Sequence, residues 1–287
     1  MNVFSPAPAQ DAAISRPPEY GWTVDGDFAA RIDEDGFAMI PVKAGGFSIG
    51  RAWSLPEPIR SWRRSAFGER VGPIANAEAF RERIEEIALD RRQRAGLDRH
   101  DIDAGMFTPW GLSEHATSYG PEIVFHETAS HGGFHLSATR NAMVHPMLRS
   151  KDQWYEEDRE WAGVAHAFGL FFTDLERRDA ERIIRNWFPD AWEAIYDKSL
   201  KPGQSHAKDR RAFEAAHAES WIVISSITSK HRPGYVECVA TPGGNRSAAE
   251  QRRFLVPEDD YVVGRFGFVI DEERHQTYGG LSSFLNW

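Results

Sequence analysis

The chain has 287 residues, of which 41% are hydrophobic and 12% aromatic, enough apolar mass for a packed core. A formal net charge of -9 excludes a surface that coats nucleic acid as a whole, and it is far too mild to imitate the charge density of DNA. One cysteine, Cys238, leaves no disulfide within the chain, which suits a reducing compartment.

Residues 1–20 are rich in Pro, Ala and Ser and are expected to be disordered. They lack the apolar core of a signal peptide. The longest weakly polar stretch, WAGVAHAFGLFF, is about half of the roughly 20 residues a membrane span needs, so the expectation is a cytoplasmic protein with no membrane partner. Residues 21–104 form an N-terminal region. DGFAMIPV and GGFSIG are strand candidates there, and a helix over 76–95 takes Asn76 as N-cap, with Phe80, Ile84, Ile87 and Ala88 on one face and Gly96 at its end. Residues 105–275 are expected to be an α+β core domain. It begins with FTPWG and a hairpin over 122–137, and helices follow over 138–148, 152–172 and 174–197, with a break at Pro189. After a further helix in AKDRRAFEAAHAE the period changes. SWIVISSITS, YVECVA and RRFLVP read as strands, with FGFVI as a candidate fourth, and residues 276–287 as a loosely attached tail. The fold class is α+β, with a mostly antiparallel sheet, a central group of helices and an N-terminal extension.

The stretch FHETASHGGFHLS holds His126, His131 and His135. A turn centred between Ser130 and His131 places His126 opposite His135, with Gly132 and Gly133 supplying positive φ in the loop. Ile123, Phe125, Phe134 and Leu136 then share an apolar face, and Val124, His126, His135 and Ser137 share the other. His126 and His135 are metal-ligand candidates, a divalent ion being the cofactor this pattern admits. His131, at the tip, is a candidate acid or base. Exposed histidines on a polar hairpin remain the plain structural alternative.

In DQWYEEDREWAGVAHAFG, helical spacing sets Asp158 on a stripe with Trp154, Trp161, Ala165 and Phe168, Glu157 lying on its flank. Asp158 and Glu157 are therefore candidate partners for His131. The structural alternative is a helix-start acid paired with Arg140 or Arg149. Residues 51–100 carry eleven arginines against eight acids, which makes Arg60, Arg63 and Arg64 the candidates for nucleic-acid contact. TPGG at 241–244 is a turn and lacks the pattern of a phosphate-binding loop.

TPWG, ETASHGGFHLSATRNA, WYEEDREWA, NWFPDA, SWIVISSI, VATPGG and RFLVP, in that order, resemble an uncharacterised domain of proteobacterial plasmid and phage proteins. The resemblance spans 106–275 and implies an accessory role in a mobile element, without a mechanism. Two functions follow as expectations. One is an accessory protein acting through protein or nucleic-acid contacts. The other is a hydrolase-type enzyme using His131 with Asp158 or Glu157, with or without a metal.

Overall fold

The computed structural model describes residues 17–43, 45–56 and 58–284. The expected disorder of 1–20 falls mostly outside that set, and Glu19–Trp22 (β1) is already a strand. The chain divides into two compact units, Met1–Ile184 and Arg185–Trp287. This division lies inside the segment 105–275 that the sequence presents as one domain.

The first unit opens with an antiparallel meander of β1, Phe28–Ile32 (β2), Asp35–Pro41 (β3), Phe47–Trp53 (β4) and Glu69–Ile74 (β5), paired in chain order. Its middle strands are apolar almost throughout because both faces are covered. Phe28, Ala30, Ile32, Phe37 and Ile49 pack with Phe80, Ile84 and Ala88 of the helix Ala77–Ala95 (α1). Ala29, Ala38, Ile40 and Ala52 pack with Ile59, Trp62 and Phe67. The Asn76 side chain caps α1, accepting from Ala79 N at 2.9 Å, and Gly96 is the C-cap.

A second antiparallel sheet follows. Its strands are His100–Ile102 (β6), His115–Gly120 (β9), Ile123–Glu127 (β10), Gly132–Leu136 (β11) and Trp154–Glu156 (β12), in the order β12-β11-β10-β9-β6. Phe107–Thr108 (β7) and Gly111–Leu112 (β8) form a small ribbon before β9. One face of this sheet is aromatic: Phe134 lies 4.9 Å from Phe125 and 4.8 Å from Tyr119, ring centre to ring centre. The helix Ala138–Met143 (α2) is capped by Ser137.

The helix expected over 152–172 is shorter. Residues 154–156 are β12, residues 157–160 are a turn, and the helix itself (α3) is Trp161–Ala167. Two local causes stand out. Gln153 has a φ of 70°, which no right-handed helix admits, and the Asp152 carboxylate accepts from Trp154 N at 3.2 Å, a side-chain turn that competes with helical bonding. Tyr155 is fully buried, and its hydroxyl bonds Asn141 and Ser150 N, which anchors the strand. Asp174–Trp187 (α4) carries the chain out of the first unit.

In the second unit Pro189–Tyr196 (α5) and His206–Ala216 (α6) precede a four-stranded antiparallel sheet. Its strands are Trp221–Thr228 (β13), Tyr235–Pro242 (β14), Arg252–Pro257 (β15) and Gln276–Thr277 (β16), in that order. Trp221, Val236, Cys238, Phe254, Val256, Phe268 and Ile270 form its core. FGFVI is not the fourth strand. It meets β13 through a single isolated bridge, Ile222 to Val269, and β16 takes the fourth place beside β15. Nor is the tail loose over its described part. The fully buried Glu237 carboxylate accepts from Ser283 N at 2.8 Å, from the Ser282 hydroxyl at 3.0 Å and from Arg253 at 2.9 Å. Among the described residues no helix is long and apolar enough to cross a membrane.

Candidate functional site

The hairpin forms, with a register two residues away from the expected one. Phe125 pairs with Phe134, His126 with Gly133 and Glu127 with Gly132. A shift of two keeps every side chain on its expected face, whereas a shift of one would have exchanged the faces. His126 and His135 therefore share a face but are diagonal neighbours, not direct partners. Gly132 and Gly133 are strand residues without positive φ, and the loop is 128–131. The glycines serve a steric need instead. A Cβ on Gly133 would collide with the Trp110 ring and stand 2.5 Å from the Tyr155 carbonyl oxygen. A Cβ on Gly132 would stand 2.7 Å from Glu157 Oε2.

The tip is held by Thr128. Its hydroxyl donates to the His131 carbonyl at 2.7 Å and accepts from His131 N at 3.2 Å. His131 thus projects from a braced loop, with its side chain 57% exposed. Backbone pairing brings the acids to it. Gly133 pairs with Glu156, and Glu157 N donates to Gly132 O at 3.0 Å. As a result His131 Nδ1 lies 4.0 Å from Glu157 Oε1. His131, Glu156 and Glu157 each offer one ligand atom, all within 4.8 Å of one another.

The structure therefore joins two of the expected residues, His131 and Glu157, and adds Glu156. Asp158 does not sit on an apolar helical stripe; it lies exposed in the turn that follows β12, outside the three-residue cluster. Its expected partners are engaged elsewhere. Arg140 donates to Pro121 O at 3.1 Å, and Arg149 donates to Val144 O at 3.0 Å. Glu156 was not legible as a site residue because a helix at 152–172 turns it outward, while a strand turns it toward the hairpin. The run Trp-Tyr in WYEE, an aromatic pair suited to strands, is the one signal that points the other way.

His126 and His135 have a different setting. Both rings pack on Trp154, at 5.4 Å and 4.5 Å, and Trp110 meets Trp154 edge to face at 5.8 Å. His126 Nδ1 is 3.0 Å from the Ser113 hydroxyl, which itself donates to His115 O at 3.0 Å. With its one proton so placed, Ser113 accepts from His126, and the imidazole carries its proton on Nδ1. Among the described residues the metal-capable cluster contains neither histidine. TPWG serves this wall: the Thr108 hydroxyl accepts from Trp110 N at 3.1 Å and donates to Gly111 O at 2.9 Å, aiming the indole over Gly133.

Burial lowers the pKa of His126, and the neighbouring His135 lowers it further; burial also lowers that of His135, against the opposing pull of Asp152. The unfolded chain therefore takes up these protons first. The stability the two rings contribute is complete above the ordinary histidine value of about 6.5 and declines as pH falls from there toward the depressed folded values. The melting temperature at pH about 5.5 is expected to lie below that at about 7.5, by less in His135→Gln than in the parent. An equal drop in both proteins counts against this source of acid sensitivity.

Part of the arginine excess is matched by carboxylates of the same unit. Arg64 binds the buried Asp27 carboxylate at 2.7 Å, Arg91 binds Asp35, and Arg94 and Arg99 share Glu176 at 3.1 Å and 2.5 Å. Arg60 and Arg63 are exposed and have no side-chain partner among the described residues.

No curated protein and no solved structure matches the chain. Residues 103–218, the stretch that holds the hairpin, β12 and the helices from α2 to α6, match the model of a family described as a domain of unknown function, DUF7007.

Proposed function

We propose that His131, Glu156 and Glu157 hold a divalent metal ion, and that the protein is a metal-assisted enzyme of hydrolase type. The observation that carries this reading is the convergence of one imidazole and two carboxylates within 4.8 Å on a braced hairpin tip and the end of the adjoining strand. Ligands around a tetrahedral ion at about 2.1 Å stand roughly 3.4 Å apart, so the widest separation in the set must contract by up to about 1.4 Å, which rotation of exposed side chains allows. Three protein ligands leave room for water, and a bound ion would lower the pKa of that water toward neutrality. The chain's own part is placement. Thr128 fixes the tip that carries His131, and Gly132 leaves the space into which the Glu157 carboxylate leans.

Calorimetric titration of chelator-treated protein with Zn2+ or Mn2+ tests this. We expect one ion per chain, with affinity at least about tenfold weaker in His131→Ala and Glu157→Gln and unchanged in Asp158→Asn. Absence of binding tighter than about a millimolar Kd overturns the reading. The other reading, an accessory protein of a mobile element that contacts nucleic acid, is supported by the motif order and by the exposed guanidinium groups of Arg60 and Arg63. Salt-sensitive DNA binding by the metal-free protein, lost in Arg60→Ala/Arg63→Ala, would favour it instead.

A further inference from the structure

The second unit contains a cleft of about 280 Å³ that has no part in the proposed metal site. It lies between α6, the start of β13 and the TPGG turn. Its walls combine two kinds of surface. Phe213 and Phe266, with ring centres 5.7 Å apart, are only half-buried, and Ile222 lies with them on the apolar side. Arg210 and Arg246 supply the charged side. Arg210 donates from Nε to Glu214 Oε1 at 2.8 Å. Arg246 is exposed and has no side-chain partner among the described residues, unlike the arginines of the first unit that carboxylates neutralise. With Glu214 balancing Arg210, the cleft carries one net positive charge.

The backbone keeps this cleft open. Gly243 and Gly244 have φ of 60° and 71°, a conformation that favours glycine, so the turn places no side chain at the mouth. A Cβ on Gly244 would press on Ile222 at 3.3 Å. Across from it the β13–β14 pairing slips between Val223 and Ser225, a bulge that sets Ile224 into the cleft wall.

From this arrangement we infer that the cleft is a binding site for a small organic monocarboxylate with a planar apolar body. The body lies against Phe213, Phe266 and Ile222, and the carboxylate meets the guanidinium of Arg246, with Arg210 beside it. The volume, just below the roughly 300–1,000 Å³ of ligand pockets, limits the ligand to about the size of benzoate. A planar guanidinium fork matches a carboxylate in two-point geometry.

The test is titration of the full chain, dialysed against chelator, with three probes: benzoate, benzyl alcohol and inorganic phosphate, followed by protein NMR or calorimetry. Benzoate is expected to bind saturably. Benzyl alcohol, which has the body without the charge, and phosphate, which has charge without the body, should bind at least about tenfold more weakly. Arg246→Gln should weaken benzoate about tenfold or more, and because Arg246 is exposed, the variant keeps its fold. Equal binding of phosphate and benzoate overturns the proposal. So does benzoate affinity unchanged in Arg246→Gln, or no binding at all.

Discussion

Replacing Glu237 with alanine is expected to destabilise the second unit by about 3–5 kcal/mol, the range for removing one partner of a buried ion pair. The carboxylate is fully buried on β14, and three donors converge on it: Arg253, the Ser282 hydroxyl and the Ser283 amide. Burial works to raise the pKa of this group, yet the Ser283 amide, Arg253 and Ser282 together hold it below the ordinary glutamate value. The group is therefore ionised in the fold. Its contribution is present above the unfolded glutamate value and is lost as pH falls through the folded one. Alanine removes the Glu237 carboxylate from the Arg253 guanidinium, whose side chain is only 14% exposed, and frees the segment around Ser282 and Ser283. Two measurements check this: denaturant unfolding, and limited proteolysis, which should clip the C-terminal segment first. A loss below about 1 kcal/mol with an uncut tail would show that the contact is a surface-grade pair.

Gly133→Ala should cost about 1–3 kcal/mol, the range for forcing extra volume into a packed site. The added methyl meets the Trp110 ring on one side and the Tyr155 carbonyl on the other, and the carbonyl belongs to the strand partner, so it cannot step aside. Trp110 can. The expected result is a lower melting temperature together with a change in tryptophan emission as Trp110 leaves its edge-to-face contact with Trp154. The same methyl on Gly120 would press on the Phe171 ring from 2.7 Å, so Gly120→Ala is also expected to destabilise, but without that spectral change. Emission unaltered in Gly133→Ala, with stability intact, would mean that the hairpin backbone adjusts instead.

Much of the architecture was written in local pattern. The helix of 77–95, its asparagine cap, the alternation along β10 and β11 and the strand period of β13 to β15 all follow from nearest-neighbour rules, because each depends on which face of one element is apolar. The faces of the hairpin survived a two-residue register error for the same reason: parity is local. The identity of the site did not have that protection. Helical and extended readings of WYEED place Glu156, Glu157 and Asp158 in different directions, and the choice rests on the burial of Tyr155, its bonds to Asn141 and Ser150, and the left-handed Gln153.

The sequence by itself determined that the protein is α+β, that the sheets are mostly antiparallel and that a histidine stands at the tip of a hairpin. Only the tertiary structure decided which carboxylates reach that histidine, that Gly132 and Gly133 leave room for Glu157 and Trp110 and do not shape the turn, and that most of the arginines in 51–100 face carboxylates within the fold. The physical reason is range. Secondary structure is set by side chains a few residues apart, while a site is set by strand pairing and by charges brought together from distant parts of the chain, and the amino-acid pattern at any one place holds no record of those partners.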